Sequence, residues 1–295
     1  MTLKPYGMII NPKAKLWNSS HREGTLKEIE RFFGNDCIID GLETKSQKEL
    51  QEYIRKLEEQ ARVLIIAGGD GTINDVINTV DPSKELAVFP CGSGNAVGHS
   101  LKLPKNIYDV LGCILLGSAH PVDVVSDGET KGFIMSFGME GLVLQERNNS
   151  DLTGIWSYIV PLANTVRRYK RKTVTLTLDE GTSNERIYEY PNTLSVIATT
   201  IPFYGYGFQM VPEARVDDGK LHIRVINSPT HSIARAFLEG KPLGEHHECL
   251  EARIQSEESS FQIDGDPKGL RDEVNLRLLS GSNRANFRCY LQNEV

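Results

Sequence analysis

The sequence predicts a doubly wound α/β domain followed by a larger β-rich domain, and three observations carry that prediction. Over the first 120 residues, short apolar runs end in glycine-rich polar loops and alternate with helical patterns, the texture of parallel βαβ units. Beyond residue 120 the runs shorten and alternate apolar with polar residues, the pattern of antiparallel strands. The chain has 295 residues, 39% of them hydrophobic. That is two domains at about 150 residues each, with enough apolar surface for ordinary cores.

The first strand is Tyr6 to Ile10, running into the Asn11-Pro12 turn. The second is Arg62 to Ala67, followed by Gly68-Gly69-Asp70-Gly71-Thr72 and a helix with Ile73, Val76, Ile77 and Val80 on one face. A third unit repeats the plan with Leu86 to Phe89, the loop Pro90-Cys91-Gly92-Ser93-Gly94-Asn95 and a helix from Ala96. In the second half, strands are expected at 173–178, 193–198, 221–226, 260–263 and 274–278. A helix over 154–172, kinked at Pro161, interrupts them. The expected boundaries are 1–120 for the α/β domain and 121–284 for the β-rich domain, closely apposed across a cleft, with a final strand within 285–295 returning to the first domain.

Five widely spaced cysteines without CxxC spacing point to reduced thiols and a cytoplasmic setting. The N-terminal apolar run is too short for a signal-peptide core or for a membrane span of about 20 residues. A net charge of −6 disfavours whole-surface attraction to nucleic acid, so none is expected as a partner. Five cations in six residues, Arg167, Arg168, Lys170, Arg171 and Lys172, follow an apolar helix carrying Trp156, Tyr158, Ile159 and Leu162. This reads either as a helix end or as a peripheral membrane contact.

Three glycines in five residues after a buried strand let backbone approach a phosphate chain, and the following helix start offers free N–H groups. Asp70 in such a loop would repel phosphate directly. It makes sense holding Mg²⁺, accepting a proton from an attacking hydroxyl, or capping the helix. The second loop has the same physics, and two such loops on successive βα units point to one crevice. His246 and His247 lack zinc spacing and read as ordinary polar residues. Asp217-Asp218-Gly219 reads as a turn.

Gly68 to Asn78 together with Pro90 to Ala96 resembles the catalytic domain shared by diacylglycerol, sphingosine and ceramide kinases and bacterial lipid kinases. The resemblance extends over nearly the whole chain and implies an NAD-kinase-like first domain, a β-sandwich second domain, ATP and Mg²⁺ as cofactors, and a lipid hydroxyl as acceptor. It implies nucleotide contacts from Asn11, Pro12, Thr44, Gly68, Gly69, Asp70, Gly71, Thr72, Asn74, Asp75, Gly92, Ser93, Gly94, Asn95, Asp264 and Gly265. A structural Mg²⁺ is implied at Asp218 with the backbone of Arg215 and Lys220. Asp266, closing the Asp264-Gly265-Asp266 motif, is the first candidate for general base and Asp70 the second. Phe133 to Tyr158, with Gly138 and Gly154, resembles the stretch that helps form the lipid pocket. There Leu142 and Leu144 replace the acid that sphingosine kinases keep, which points to a neutral head group such as diacylglycerol, phosphatidylglycerol or a ceramide-like alcohol. The sequence departs from the family in lacking a glycine after Asn11-Pro12 and in having Asp75 and Asp266 in place of Glu. NAD kinase and a non-catalytic lipid- or nucleotide-binding module are the alternatives.

Overall fold

The computed structural model describes residues 3–17, 22–152, 156–227 and 243–289. They fall into two compact units. The first comprises the described residues of Met1–Val122, Tyr204–Gly207 and Gly281–Val295, and the second those of Asp123–Phe203 and Phe208–Ser280.

The first unit follows the chain as β1 (Lys4–Ile10), α1 (Arg22–Phe33), β2 (Cys37–Asp40), α2 (Gln47–Gln60), β3 (Ala61–Gly68), α3 (Asp70–Ile77), β4 (Glu85–Pro90), α4 (Ala96–Ser100), α5 (Ile107–Leu116) and β5 (Ser118–Val122). Strands β2, β1, β3 and β4 are parallel neighbours in that order. The sheet is completed by β16 (Ala285–Cys289), parallel to β4 and antiparallel to β5. Because both faces of β3 are covered, it reads as a continuous apolar run with Val63 to Gly68 buried. Helix α2 shows the local logic. Ser46 accepts a hydrogen bond from Glu49 N, Glu49 reaches back to Lys45 N, and Leu50, Ile54 and Leu57 form its buried stripe.

One sequence expectation shifts here. Helix α3 stops at Ile77, because the side chains of Asn78 and Thr79 bond back to the carbonyls of Asn74 and Asp75; Val80 is buried from the turn that follows. The expected final strand occupies Ala285–Cys289, and the residues beyond it lie outside the described ones.

The second unit contributes β6 (Val124–Ser126), β7 (Lys131–Gly132), β8 (Ile134–Gly138), α6 (Glu140–Asn148), α7 (Trp156–Arg168), β9 (Lys172–Leu178), β10 (Arg186–Thr193), β11 (Ser195–Thr199), β12 (Leu221–Ile226), β13 (Glu245–Cys249), β14 (Glu251–Ile263) and β15 (Asp266–Leu279). They form one ten-stranded sheet in which every pairing is antiparallel. Long β14 pairs with β9 through its first half and with β8 through its second, so it joins the two halves of the sheet. One face carries the core of Met135, Phe137, Leu176, Val196, Ile223 and Phe261. The expected helix over 154–172 is Trp156–Arg168 with Pro161 inside it; Gly154 and Ile155 lie outside the described residues. Lys172 already belongs to β9. Among the described residues, no helix is long and apolar enough to cross a membrane, and all five cysteines are free thiols.

Phe287 is fully buried between β4 and β5. Phe287→Ala is expected to cost about 3–5 kcal/mol of unfolding free energy, measured by urea denaturation. A loss below about 1 kcal/mol would show that β16 is dispensable to the first sheet.

Candidate active site

The site in the first unit is built where β3 and β4 end. Cys91 N donates to Gly68 O at 2.8 Å, extending the ladder one step past the strands. The two glycine loops then touch backbone to backbone. A Cβ on Gly92 would stand 2.6 Å from Gly69 Cα, and one on Gly69 would stand 3.0 Å from Gly92 Cα. Gly68 is equally constrained, because Thr72 folds back over it with side-chain atoms 2.5 Å from where a Cβ would be. Gly71 differs, with open space where a side chain would project. Ser93 is exposed beside Gly92 in the second loop.

Asn11 locks the first loop onto this framework. Its Nδ2 donates to buried Thr72 Oγ1 at 2.9 Å, and its Oδ1 accepts from Lys13 N at 3.0 Å. Pro12 follows on that turn. Asn95 does the same for the second loop: in the left-handed region at φ 48°, it bonds both Gly92 N and Gly92 O through its amide. Gly94 lies against the backbone of Gly205, and Gly94 O accepts from Tyr206 N at 2.8 Å.

Asp70 ties the loops together. It is the first residue of α3, and the cap position belongs to Gly69, so the capping role considered from sequence does not apply to α3. Its Oδ1 accepts from Val97 N at 3.1 Å, at the start of α4. Burial pushes the Asp70 carboxyl above its usual range, while the Ala96 and Val97 amides and nearby His99 pull the other way.

Other expected residues stand apart. Asp75 Oδ1 accepts from Gln47 Nε2 at 2.6 Å, which ties it to α2. Asn74 bonds with Asn78. Thr44 is buried, and its hydroxyl donates to Gly41 O at 2.7 Å.

In the second unit, Asp264 and Gly265 form a two-residue turn with both φ positive, at 48° and 87°, joining β14 to β15. The Asp264 carboxylate accepts from Phe133 N and Ile134 N. Gln262 Oε1 accepts from Gly265 N at 2.7 Å. Asp266 is 66% exposed, with Lys268 Nζ 2.8 Å away.

The 215–220 loop is organised by two carboxylates. Asp218 accepts from Arg215 N at 3.3 Å and from Lys220 N at 3.1 Å. Fully buried Asp123 accepts from Gly219 N at 2.7 Å. Two acids and a turn's carbonyls are the hard oxygen donors that a magnesium ion takes, so the donor set fits that ion.

Sequence reasoning passed over Asp123 and Glu140, and the signal was present: each is an acid inside an apolar run, Val122 to Val125 and Phe137 to Leu144. Glu140 accepts a hydrogen bond from Ser195 Oγ. Its enclosed carboxyl is pushed up to about 7 by burial, against the pull of that hydroxyl.

This geometry defines an α/β fold with paired glycine loops at the ends of parallel strands. The family model "Diacylglycerol kinase catalytic domain" matches residues 5–126, and "YegS C-terminal NAD kinase beta sandwich-like domain" matches 133–266. Residues 5–126 belong to the diacylglycerol kinase catalytic-domain family, with an NAD-kinase-like α/β fold, and residues 133–266 to the YegS C-terminal β-sandwich-like family. Diacylglycerol kinase from Staphylococcus saprophyticus is 25% identical over 202 residues, covering 66% of this chain and 64% of that protein. The Staphylococcus carnosus diacylglycerol kinase is 24% identical over 199 residues, 66% of this chain and 64% of its own. A crystal structure of a diacylglycerol kinase from Bacillus anthracis superposes with a TM-score of 0.77 at 21% identity, covering 99% of both chains. An NAD kinase from Archaeoglobus fulgidus in complex with ATP gives 0.54 at 13%, covering 97% of this chain and 94% of that one. These two likenesses concern the fold.

The Glu140 carboxyl has a pH consequence. A folded value near 7 against an ordinary 4.5 means its contribution to stability is full below pH 4.5, falls as pH rises to about 7, and is constant above. Glu140→Gln is therefore expected to gain on wild type by up to about 3 kcal/mol across that window. Urea midpoints at pH 4.5 and pH 8 measure this, and parallel pH profiles for the two proteins would contradict it.

Proposed function

We propose that the chain is an ATP-dependent kinase that transfers the γ-phosphoryl group to the hydroxyl of a neutral lipid, such as a diacylglycerol. The observation that carries this reading is the crossing of Gly69 and Gly92, with Asp70 held on the second loop and open space left at Gly71. Backbone without side chains is what a polyphosphate needs for close approach, and the start of α3 turns the positive end of its dipole toward an anion. Asn11, Gly68, Gly69, Gly71, Thr72, Gly92, Ser93, Gly94 and Asn95 would hold the nucleotide. Thr44 would hold it through its carbonyl, since its hydroxyl and its N–H both donate to Gly41 O. Mg²⁺, when bound, supplies charge neutralisation at the phosphates.

In this reading Asp70 does the charge management in the first unit. Its carboxylate keeps one oxygen on Val97 N and offers the other to a cation or a proton. Asp266 is the proposed base, exposed and steadied by Lys268; Asp264 and Gly265 set its position through the turn. Asp218, with the carbonyls of Arg215 and Lys220, would hold the structural Mg²⁺.

Asp70→Asn keeps the glycines but removes the charge, and is expected to lower turnover at least ~10²-fold. Asp266→Asn should be similarly damaging and Asp266→Glu tolerated. The assay is label transfer from γ-labelled ATP to a panel of diacylglycerol, phosphatidylglycerol, ceramide, sphingosine and NAD. Label on NAD alone would replace the lipid-kinase reading with NAD kinase, and near-wild-type rates in Asp70→Asn would remove its role.

A lipid acceptor sits in a bilayer, and a docking face is proposed on α7. Trp156 and Val160, one helical turn apart, are 62% and 39% exposed, and Arg167, Arg168 and Lys170 are exposed after them. Arg171 and Lys172 are engaged with backbone carbonyls of Asn192, Asn227 and Glu258. Three exposed cations, of which Arg168 pairs with Glu146 at 3.8 Å, contribute up to about 1 kcal/mol each and suit reversible contact with an anionic surface. Reversing Arg167, Arg168 and Lys170 to Glu is expected to raise the apparent KM for vesicle-borne lipid while kcat on short-chain soluble substrate stays the same. Unchanged vesicle sedimentation at low salt would dismiss the docking face.

A further inference from the structure

Strands β12 and β13 carry a cluster that the kinase reading leaves unused. They pair antiparallel with His222 opposite Glu248 and Arg224 opposite His246. Leu221, Ile223, Val225 and Cys249 turn into the core, so His222, His246 and Glu248 share the other face. His222 Nδ1 lies 3.0 Å from His246 Nε2, and the ligand atoms of all three residues lie within 4.8 Å of one another. His222 is fully buried, while His246 and Glu248 are half-buried, which leaves one side of the cluster accessible. Asp218 Oδ2 stands 2.9 Å from His222 Nε2.

We propose that His222, His246 and Glu248 bind one divalent transition-metal ion of the zinc class, with Asp218 as the positioning partner of His222. Two imidazole nitrogens and a carboxylate form a zinc donor set, whereas Mg²⁺ prefers oxygen throughout. A carboxylate on the far nitrogen of a ligating histidine is the usual outer partner, because it fixes the tautomer and the ring. Here it places the proton of His222 on Nε2 and turns the Nδ1 lone pair toward His246. Without the ion, His246 donates its Nε2 proton to that lone pair. With the ion, both nitrogens become ligands, and His246 carries its proton on Nδ1 instead. Two nitrogen ligands of a tetrahedral zinc stand about 3.3 Å apart, so the rings need to part by a few tenths of an ångström and to turn from their head-on hydrogen bond until both lone pairs meet at the ion. Glu248 exchanges its ion pair with Lys220 Nζ, 2.5 Å away, for the metal, and water completes the shell. Asp218 serves both sites, with Oδ2 toward His222 and Oδ1 toward the 215–220 loop, so excess Mg²⁺ is kept in the test.

The test uses the whole protein, stripped with a chelator and titrated with Co²⁺ and then Zn²⁺ in excess Mg²⁺. One Co²⁺ per chain is expected, with the visible absorption of a low-coordinate nitrogen–oxygen site, displaced by Zn²⁺ and not by Mg²⁺. His246→Ala and Glu248→Gln should each weaken binding at least about tenfold and lose the Co²⁺ absorption. His247→Ala, altering a ring that bonds Tyr190 instead, should retain both. If His246→Ala does not fold, Glu248→Gln decides. Wild type that binds no stoichiometric Co²⁺ or Zn²⁺, or Glu248→Gln that binds them as wild type does, would overturn the site and leave a hydrogen-bonded histidine pair beside a surface ion pair.

Discussion

The close crossing of two backbones at Gly69 and Gly92 is the constraint on which the first unit's site depends. Parallel strands β3 and β4 deliver their ends side by side, and the hydrogen bond from Cys91 N to Gly68 O holds them there. Side chains at either glycine would push the loops apart. With the loops in contact, Asp70 reaches the amides at the start of α4, and Asn95 closes the second loop on itself. The backbone amides that hold the Asp70 carboxylate favour its charged form, against the burial that opposes it. Sequence, local turn geometry and electrostatics converge on one small volume.

The second unit uses the same device on another scale. Its loops are held by carboxylates that accept backbone amides: Asp264 takes Phe133 N and Ile134 N, Asp218 takes Arg215 N and Lys220 N, and Asp123 takes Gly219 N. Charge-assisted bonds of this kind are stronger than neutral ones, so they fix loops that have little apolar surface to bury. In the proposed function, the Asp218 carboxylate that orders its loop is also the one that would hold the cation.

Much of the first unit was legible because its signals are local. Apolar runs gave β1, β3 and β4, and the glycines marked both loops, since the residues that need glycine are those that carry it. The end of α3 was misread, because periodicity counts Val80 while the side chains of Asn78 and Thr79 end the helix. Roles set by distant partners were not legible. Asp123 meets Gly219 across 96 positions and Glu140 meets Ser195 across 55. The His222 and His246 pairing depends on the register of β12 with β13, which spacing along the chain does not encode. Asp70 is intermediate: its importance followed from the loop, but its anchorage on Val97 needed the fold.

Calorimetric titration with Mg²⁺-ATP of the wild type, Gly92→Ala and Gly112→Ala bears most directly on the crossing. Gly112 lies on α5 with no atom within 4 Å of an added Cβ, so its variant controls for a methyl group placed elsewhere. One site is expected in the wild type and in Gly112→Ala. In Gly92→Ala, still folded by circular dichroism, affinity is expected to fall at least about tenfold, or about 1.4 kcal/mol. Gly92→Ala binding ATP as tightly as wild type would contradict the claim that the backbone crossing makes the nucleotide site.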